Sequence, residues 1–170
     1  MVRIITVIGL NGSGKSTTGD IIAQLIRRRG YRVELRPLAR PLKLLAHKFF
    51  KLDKTQNRFL LEEFAEQLRF LFGYDIFVNL VLENSSDLDF IIVPDMRYIE
   101  EYLLLQTNAE DISVIECARE VETTEDDRSR LARLIATGIP ITKIIQCERS
   151  ELVTRINEAV SDIVKKGSNN

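Results

Sequence analysis

The sequence predicts one α/β domain with three layers, in which helices cover both faces of a five-stranded parallel sheet. A chain of 170 residues is long enough for a single domain with a substantial core. Five short apolar runs alternate with segments whose apolar residues repeat at helical spacing. Strands that alternate with helices pair in parallel, and helices packed on both faces of the sheet keep those strands apolar throughout.

The first predicted strand is rich in β-branched residues and almost uninterrupted by polar ones, as a strand buried on both faces should be. Right-handed connections place the C-terminal ends of all parallel strands at one edge of the sheet. Because ligands bind at that edge, the residues that follow the strands are the first candidates for a functional site. The strands are predicted at residues 2–8, 31–35, 90–93, 112–116 and 141–146.

Helical periodicity accounts for most of the chain between the strands. The domain is predicted to span residues 1–166, and residues 167–170 form a short polar tail that we expect to fray. Helices are expected at about residues 15–29, 57–72, 75–83 and 98–107, in a short segment between the last two strands, and from Ser150 onward.

The helix predicted at residues 57–72 carries apolar residues on two sides. Phe59 and Phe70 share one side with Glu62, Glu63 and Glu66, so that side is either a dimer contact or covered by a neighbouring helix. The other side is broader, and we expect it to be buried. It consists of Leu60, Leu61, Phe64, Leu68, Leu71 and Phe72.

Composition narrows the classes of function. Hydrophobic residues make up 45% and charged residues 29% of the chain, a globular balance. The formal net charge is -1, so no overall positive field favours nucleic acid or an anionic membrane. No apolar run approaches the roughly 20 residues of a membrane span, and the N-terminus lacks the pattern of a secretory signal. We therefore expect a cytoplasmic protein without a nucleic-acid or membrane partner.

Cysteine and histidine are too scarce for a metal centre or a disulfide framework. The two cysteines, Cys117 and Cys147, are expected to be reduced thiols. They follow adjacent predicted strands, so a disulfide between them stays open. His47 is the single histidine, which excludes a catalytic histidine pair, and we expect it to be exposed.

The turn after the first strand carries the clearest functional signal. Residues 9–16 read Gly-Leu-Asn-Gly-Ser-Gly-Lys-Ser, which matches the phosphate-loop pattern G-x-x-x-x-G-K-[ST] between a strand and a helix. Glycines let successive N–H groups point at one anion, and the helix N-terminus adds partial positive charge. Lys15 can reach the β- and γ-phosphates of ATP, and the Ser16 hydroxyl can bind Mg²⁺. The predicted ATP phosphate-binding residues are Asn11, Gly12, Ser13, Gly14, Lys15, Ser16 and Thr17.

Four further stretches occur in an order that is typical of one family. They are Ala-Arg-Pro-Leu-Lys at residues 39–43, Phe-Gly-Tyr-Asp-Ile-Phe-Val at residues 72–78 after Glu66 and Arg69, Asp-Met-Arg-Tyr at residues 95–98 with Glu101, and a closing strand and helix over residues 144–163. With the phosphate loop, they resemble the deoxynucleoside monophosphate kinases of bacteriophages and bacteria.

This resemblance implies a P-loop kinase that transfers the γ-phosphate of ATP, with Mg²⁺, to a nucleoside or deoxynucleoside monophosphate. It implies an acceptor-binding helical region at about residues 38–84 and a lid at about residues 118–134. Two alternatives stay open: another small phosphorylated acceptor such as dephospho-coenzyme A, and a nucleotide-binding switch or assembly factor that hydrolyses slowly. A guanine-specific GTPase is disfavoured because the sequence lacks an Asn-Lys-x-Asp loop.

Phosphoryl transfer between two anions depends on positioning and charge neutralisation. Arg97 follows the third strand, and its planar guanidinium can hold an acceptor phosphate bidentately. Asp95 is assigned to a water-bridged Mg²⁺ contact or to orienting the substrate. The alternative is a structural Asp–Arg pair at a strand end. Lys15, Asp95, Arg97 and Arg119 are the predicted catalytic residues.

Basic residues near the second strand and on the lid complete the predicted site. Arg36, Arg40 and Lys43 surround the end of the second strand, where an acceptor site should begin, although a solvated basic face would look the same. Arg69 is a further acceptor candidate, or it only pairs with Glu66 three residues before it. Lid arginines could close over the triphosphate, or belong to a salt-bridged surface helix. These are Arg119, which we prefer, and Arg128, Arg130 and Arg133.

Overall fold

A computed structural model describes residues 1–51, 57–119, 121–145 and 149–166. Within these ranges, five strands alternate with helices in the predicted order. The strands are β1 (Arg3–Ile8), β2 (Val33–Leu35), β3 (Phe90–Val93), β4 (Asp111–Ala118) and β5 (Ile141–Ile145). The helices are α1 (Lys15–Arg28), α2 (Arg40–Phe50), α3 (Arg58–Phe72), α4 (Asp75–Leu82), α5 (Ile99–Asn108), α6 (Glu125–Ala136) and α7 (Arg149–Lys166).

The sheet confirms the predicted fold class. Its five strands run in the order β2-β3-β1-β4-β5, and every pair of neighbours is parallel. The chain therefore leaves β1, builds one side of the sheet through β2 and β3, and then crosses to the other side at β4. This reversal of direction opens a crevice at the C-terminal ends of the central strands. The turn after β1 and the turn after β3 both begin at this edge.

Alternate residues of β1 face opposite layers, because successive side chains of a strand point to opposite faces of the sheet. Ile4 and Ile8 pack in one core cluster, with buried residues of α2 to α6. Ile5 and Val7 pack in the other cluster, with Ile22 of α1 and with residues of α7. Two separate cores on one sheet are the three-layer arrangement that the alternation of strands and helices predicts.

Helix α3 buries a narrower face than the sequence predicts. Leu61 is buried, and Phe64 and Leu68 pack partly against the core. The prediction is wrong for three members of the broad face, which are exposed at the surface. They are Leu60, Leu71 and Phe72, with 51%, 65% and 60% of their surface accessible.

The physical reason is that the inner side of α3 faces a cavity instead of a closed core. Glu62 and Glu66, which the periodicity places on the outer side, line that cavity together with Leu61, Ala65 and Arg69. Polar and apolar side chains therefore share the inward face, and the apolar pattern alone misplaces the helix by part of a turn.

Phe59 and Phe70 are both exposed, so burial beneath a neighbouring helix is not found in the described part of the chain. A dimer contact through these rings stays a prediction. Cys117 is buried, and its Sγ lies 3.1 Å from Thr18 Oγ1. Cys147 and the tail at residues 167–170 lie outside the described residues. None of the helices within the described ranges has the length and apolar character needed to cross a membrane.

Candidate active site

The phosphate loop connects the C-terminal end of β1 to the N-terminus of α1. Its three glycines adopt positive φ angles of 143° at Gly9, 84° at Gly12 and 95° at Gly14, which other residues rarely adopt. At Gly9 space is limiting as well, since an added Cβ would lie 2.7 Å from Ser13 Oγ and 2.8 Å from the carbonyl oxygen of Cys117. The backbone of the loop thus favours glycine at the two positions that the motif specifies, Gly9 and Gly14, and also at Gly12.

A cavity of about 350 Å³ lies between this loop, the end of β3 and the helices α2 and α3. Ser13 is the one predicted phosphate-binding residue that does not line it, because its side chain is buried within the loop. Three of the predicted acceptor residues, Lys43, Arg69 and Arg97, also line the cavity. The remaining predicted phosphate-binding residues that line it are Asn11, Gly12, Gly14, Lys15, Ser16 and Thr17.

Lys15 directs its ammonium group back onto the loop. The Nζ atom donates to the carbonyl oxygens of Gly9 and Leu10, both at 2.7 Å. Burial, followed by repulsion from Arg97, lowers the pKa of Lys15 to about 8. Two cations therefore stand close together in a partly desolvated space, and this arrangement favours a bound anion that would neutralise both.

Arg97 reaches the phosphate loop from the end of β3. Its Nη2 atom donates to Oδ1 of Asn11 at 3.0 Å, and its Nη1 atom lies 3.4 Å from Glu62 Oε1. The Arg97 side chain is one-quarter exposed and lines the cavity, so a ligand there can contact it. The structure thus brings together Lys15 and Arg97, which are separated by about half of the domain in sequence.

Asp95 is also beside the cavity, but its carboxylate has a structural role. Its two oxygens accept the backbone N–H groups of Leu38 at 2.7 Å and Ala39 at 3.1 Å. These bonds fasten the segment before α2 to the end of β3 and so shape one wall of the cavity. Each carboxylate oxygen retains a lone pair, so the predicted water-bridged Mg²⁺ contact stays a prediction.

Arg69 pairs with a glutamate that the sequence analysis did not place in the site. Its Nη2 atom lies 2.9 Å from Oε1 of the fully buried Glu101, whereas Glu66, the expected partner, is 3.6 Å from Nη1. The guanidinium also stacks over the rings of Tyr98 and Phe77, at 4.7 and 4.9 Å from their centroids. Arg69 is therefore held rigidly, with only 10% of its side chain exposed.

Glu101 holds both arginines in position. Besides pairing with Arg69, its carboxylate accepts the backbone N–H of Arg97 at 2.9 Å and that of Tyr98 at 3.3 Å. Burial raises the pKa of Glu101 above its ordinary value, opposed by the charge of Arg69. The available signal was its position at the third residue of α5, from which a glutamate reaches back to the helix N-terminus.

Tyr98 connects this group to the wall of the cavity. Its hydroxyl donates to Oε1 of Glu66, and burial, followed by this hydrogen bond, raises its pKa well above the ordinary value. The ring of Tyr74 packs against it with 5.2 Å between centroids. Neither ring lines the cavity; Tyr98 instead supports Glu66, which does.

Two predicted acceptor residues are not brought to the site. Arg36 donates to the carbonyl oxygens of Val81 at 2.8 Å and Glu83 at 2.6 Å and pairs with Glu34 at 2.7 Å. It therefore caps the C-terminus of α4, where a cation is favourable. Arg40 is exposed at the start of α2 and does not line the cavity. For both, the predicted role in acceptor binding finds no support in this geometry.

The predicted lid contains α6, and its arginines do not line the cavity. Arg119 is exposed, and Arg128 and Arg133 donate to nearby backbone carbonyl oxygens at the surface. Arg130 pairs with Asp126 at 2.5 Å and lies 3.8 Å from Glu66, so it joins the lid to α3. Their action on a triphosphate stays a prediction. Their contacts in this structure fit the alternative, in which they belong to a salt-bridged surface helix.

An acidic residue of the predicted lid, Asp127, contacts the phosphate loop, whereas the arginines of that segment were expected to close over the triphosphate. Its Oδ2 atom accepts the backbone N–H of Asn11 at 2.6 Å. Asp127 was not among the predicted site residues. The pattern Thr124-x-x-Asp127 marks the start of α6, where the Thr124 hydroxyl accepts the N–H of Asp127, but it does not reveal the contact with the loop.

No protein-family model matches the chain, and no curated protein matches it. Solved structures do. The chain is similar to Kti12 from Chaetomium thermophilum in complex with ADP-AlF3, with 16% identity over 94% of this chain and 97% of that chain and a TM-score of 0.54.

Two kinases give a comparable match. A sugar kinase from Janibacter is 16% identical over 95% of this chain and 94% of that chain, with a TM-score of 0.53. A gluconokinase from Sinorhizobium meliloti is 13% identical over 96% of this chain and 94% of that chain, with a TM-score of 0.52. The chain has a P-loop kinase-like fold. Membership of the deoxynucleoside monophosphate kinase family stays a prediction, because identities this low establish the fold alone.

Proposed function

We propose that this protein is an ATP-dependent phosphotransferase that transfers the γ-phosphate to a nucleoside or deoxynucleoside monophosphate. The observation that carries the proposal is the contact between Arg97 and Asn11 of the phosphate loop, at 3.0 Å, on a cavity that Lys15 also lines. A switch or slow hydrolase has no need of a second anion-binding arm that reaches the loop from another strand. A kinase needs one to hold its acceptor.

The charges suit a reaction between two anions. A triphosphate on the loop and an acceptor monophosphate repel each other at the distance that transfer requires. Lys15 and Arg97 supply positive charge on the two sides of the transferring group, and Arg69 adds a third cation to the acceptor wall. An ionised phosphate oxygen is already a nucleophile, so no general base is required.

Mg²⁺ would be bound together with the triphosphate. The Ser16 hydroxyl is exposed at the start of α1 and lines the cavity, as a ligand to that ion should. No group of three or more histidine, cysteine, aspartate or glutamate side chains suited to a metal ion occurs within the described ranges. When bound, Mg²⁺ neutralises part of the charge on the β- and γ-phosphates.

The acceptor wall favours a molecule with both an apolar surface and hydrogen-bond donors. Leu38, Leu42 and Leu61 supply apolar area, while Glu62 and Glu66 supply carboxylate oxygens. A nucleobase has an apolar face and exocyclic N–H groups, and its attached phosphate can reach the arginines. The size of the cavity lies within the range of small-molecule sites.

The experiment is a panel of acceptors with ATP and Mg²⁺, followed by separation of the products. We expect ADP and a new nucleoside diphosphate to appear together with at least one ribo- or deoxyribonucleoside monophosphate. Dephospho-coenzyme A is included to test the other class of phosphorylated acceptor. Release of ADP and free phosphate without any phosphorylated acceptor would contradict the proposal and support a hydrolase.

A further inference from the structure

The contact of Asp127 with the phosphate loop is not explained by the proposed chemistry. Its carboxylate is buried, with 7% of the residue exposed, and Oδ2 accepts both the N–H of Asn11 at 2.6 Å and the hydroxyl of Thr123 at 3.0 Å. A negative charge from the lid therefore rests on a loop whose backbone is arranged to bind anions.

Helix stability does not account for this placement. The N-cap of α6 is Thr124, whose side chain already accepts the N–H of Asp127. A longer glutamate at this position could return to the N-cap backbone, as in a capping box. The shorter carboxylate of Asp127 is directed to another segment, 116 residues away in sequence. Burying a carboxylate is costly unless its surroundings favour the charge, and here those surroundings are the phosphate loop and Lys15.

Asn11 is the residue on which the contacts converge. Its side-chain carbonyl accepts Arg97 from the acceptor side, while its backbone N–H donates to Asp127 of the lid. Asp127 does not line the acceptor cavity, so it meets the loop from outside that cavity. A movement of α6 can thus change the position of Asn11, which also contacts Arg97.

We propose that Asp127 competes with the nucleotide for the phosphate loop. Its contact with Asn11 acts as a latch, which holds α6 against the loop until a triphosphate displaces the carboxylate. A carboxylate and a polyphosphate on the same loop repel each other, so entry of the nucleotide weakens the latch and frees the first turn of α6. The proposal rests on the nucleotide-binding half of the proposed function and is independent of the acceptor.

The test compares binding of a non-hydrolysable ATP analogue, ADP and AMP by calorimetry. Asp127→Asn keeps the size of the side chain and an oxygen that can accept both hydrogen bonds, but removes the charge. We expect it to bind the ATP analogue about tenfold more tightly, because the variant no longer repels the triphosphate, and an electrostatic interaction worth about one pKa unit changes an affinity by that factor. The gain should be smaller for ADP and smallest for AMP, because each lost phosphate removes negative charge.

Glu125→Gln is the matched control, since Glu125 is an exposed acid in the same turn of α6. We expect it to change affinity less than about twofold, because exposed charges are screened. Equal tightening in both variants, or no gain in Asp127→Asn, would overturn the latch. Asp127→Asn with unchanged affinity and lost transfer would also overturn it and make Asp127 a catalytic group.

Hydrogen exchange on the wild-type protein provides a second readout that does not depend on a variant folding. The latch predicts that a saturating ATP analogue increases exchange over residues 123–127, where the chain enters α6. Unchanged or slower exchange there would contradict it. Lys15→Ala serves to show that binding occurs at the loop. If neither the wild type nor Asp127→Asn binds nucleotide, the proposed function fails as well; binding without a gain overturns the latch alone.

Discussion

The phosphate loop and the opposite side of the cavity, where we propose that the acceptor binds and which we call the acceptor side, present positive charge in different ways. The loop does so locally: glycine conformations aim its backbone within residues 9–16, and Lys15 adds one cation. The acceptor side assembles Arg97 from the end of β3 and Arg69 from α3, and both depend on Glu101 of α5. The loop would bind anions mainly through backbone N–H groups, whereas the acceptor side would bind them through a network of side chains.

This difference teaches where the site is vulnerable. In the loop, each N–H group makes its own contribution, and the backbone shape depends on the glycines rather than on a network of side chains. On the acceptor side, a single buried carboxylate compensates one guanidinium and fixes the backbone of another arginine. Loss of Glu101 should therefore damage the protein more than loss of any one residue that contacts the acceptor.

The largest expected effect is on stability, in the variant Glu101→Ala. It leaves the guanidinium of Arg69, 10% exposed, without its nearest carboxylate. Breaking a buried pair from one side costs about 3–5 kcal/mol. Urea unfolding measures the change. Glu100→Ala is the control, because Glu100 is the exposed neighbour in the same helical turn, and an equal loss in both variants would show that Glu101 has no special role.

The next effect separates Arg97 from Arg36, which were both predicted to bind the acceptor. Arg97→Ala should lower kcat/KM for the acceptor about 100-fold, the size expected for loss of one charge-stabilising donor. The affinity for an ATP analogue should change less than about threefold, because the loop keeps its N–H groups and lysine.

Arg36→Ala is the matched control for that kinetic measurement. It should leave the acceptor kinetics unchanged and lower the free energy of unfolding by about 1 kcal/mol, because Arg36 caps the carbonyl groups at the end of α4. Equal loss of ATP and acceptor binding in Arg97→Ala would remove Arg97 from the acceptor site.

The smallest effect concerns pH. The pKa of Lys15 is lowered to about 8 in the ligand-free protein, and a bound triphosphate favours the charged form and raises it again. Above pH 8, binding must therefore take up a proton, so affinity for the ATP analogue should fall by up to about tenfold per pH unit. Lys15→Arg stays charged and should bind with little pH dependence between pH 7 and 9.5. Parallel profiles for both proteins would contradict the assignment.

The fold and the phosphate loop could be predicted because their signals are local. A buried β1, a glycine-rich turn and an amphipathic α1 each depend on neighbouring residues, and they constrain one another. Arg97 could be placed for a related reason, since the end of a parallel strand lies at the ligand-binding edge.

The other side chains were beyond local reasoning. Nothing in the sequence near Arg36 shows that three residues at the end of α4 will come within reach of its guanidinium. The inward turn of Glu62 and Glu66 depends on the cavity beneath α3, and the contact of Asp127 depends on how α6 packs against the phosphate loop. Tertiary packing determines which partners these side chains meet, and neither hydrophobic periodicity nor a run of charges in the sequence predicts it.

The central claim is that the loop and Arg97 hold two phosphorylated molecules side by side in one cavity. It is tested most directly with ligands in which adenosine and a second nucleoside are joined end to end through a chain of phosphates. For at least one second base, we expect such a ligand to bind about 100-fold more tightly than ATP, and Arg97→Ala to remove most of that gain. If no ligand in the set binds more tightly than ATP, the loop and Arg97 do not hold two phosphorylated molecules in one cavity, and the proposed function is wrong.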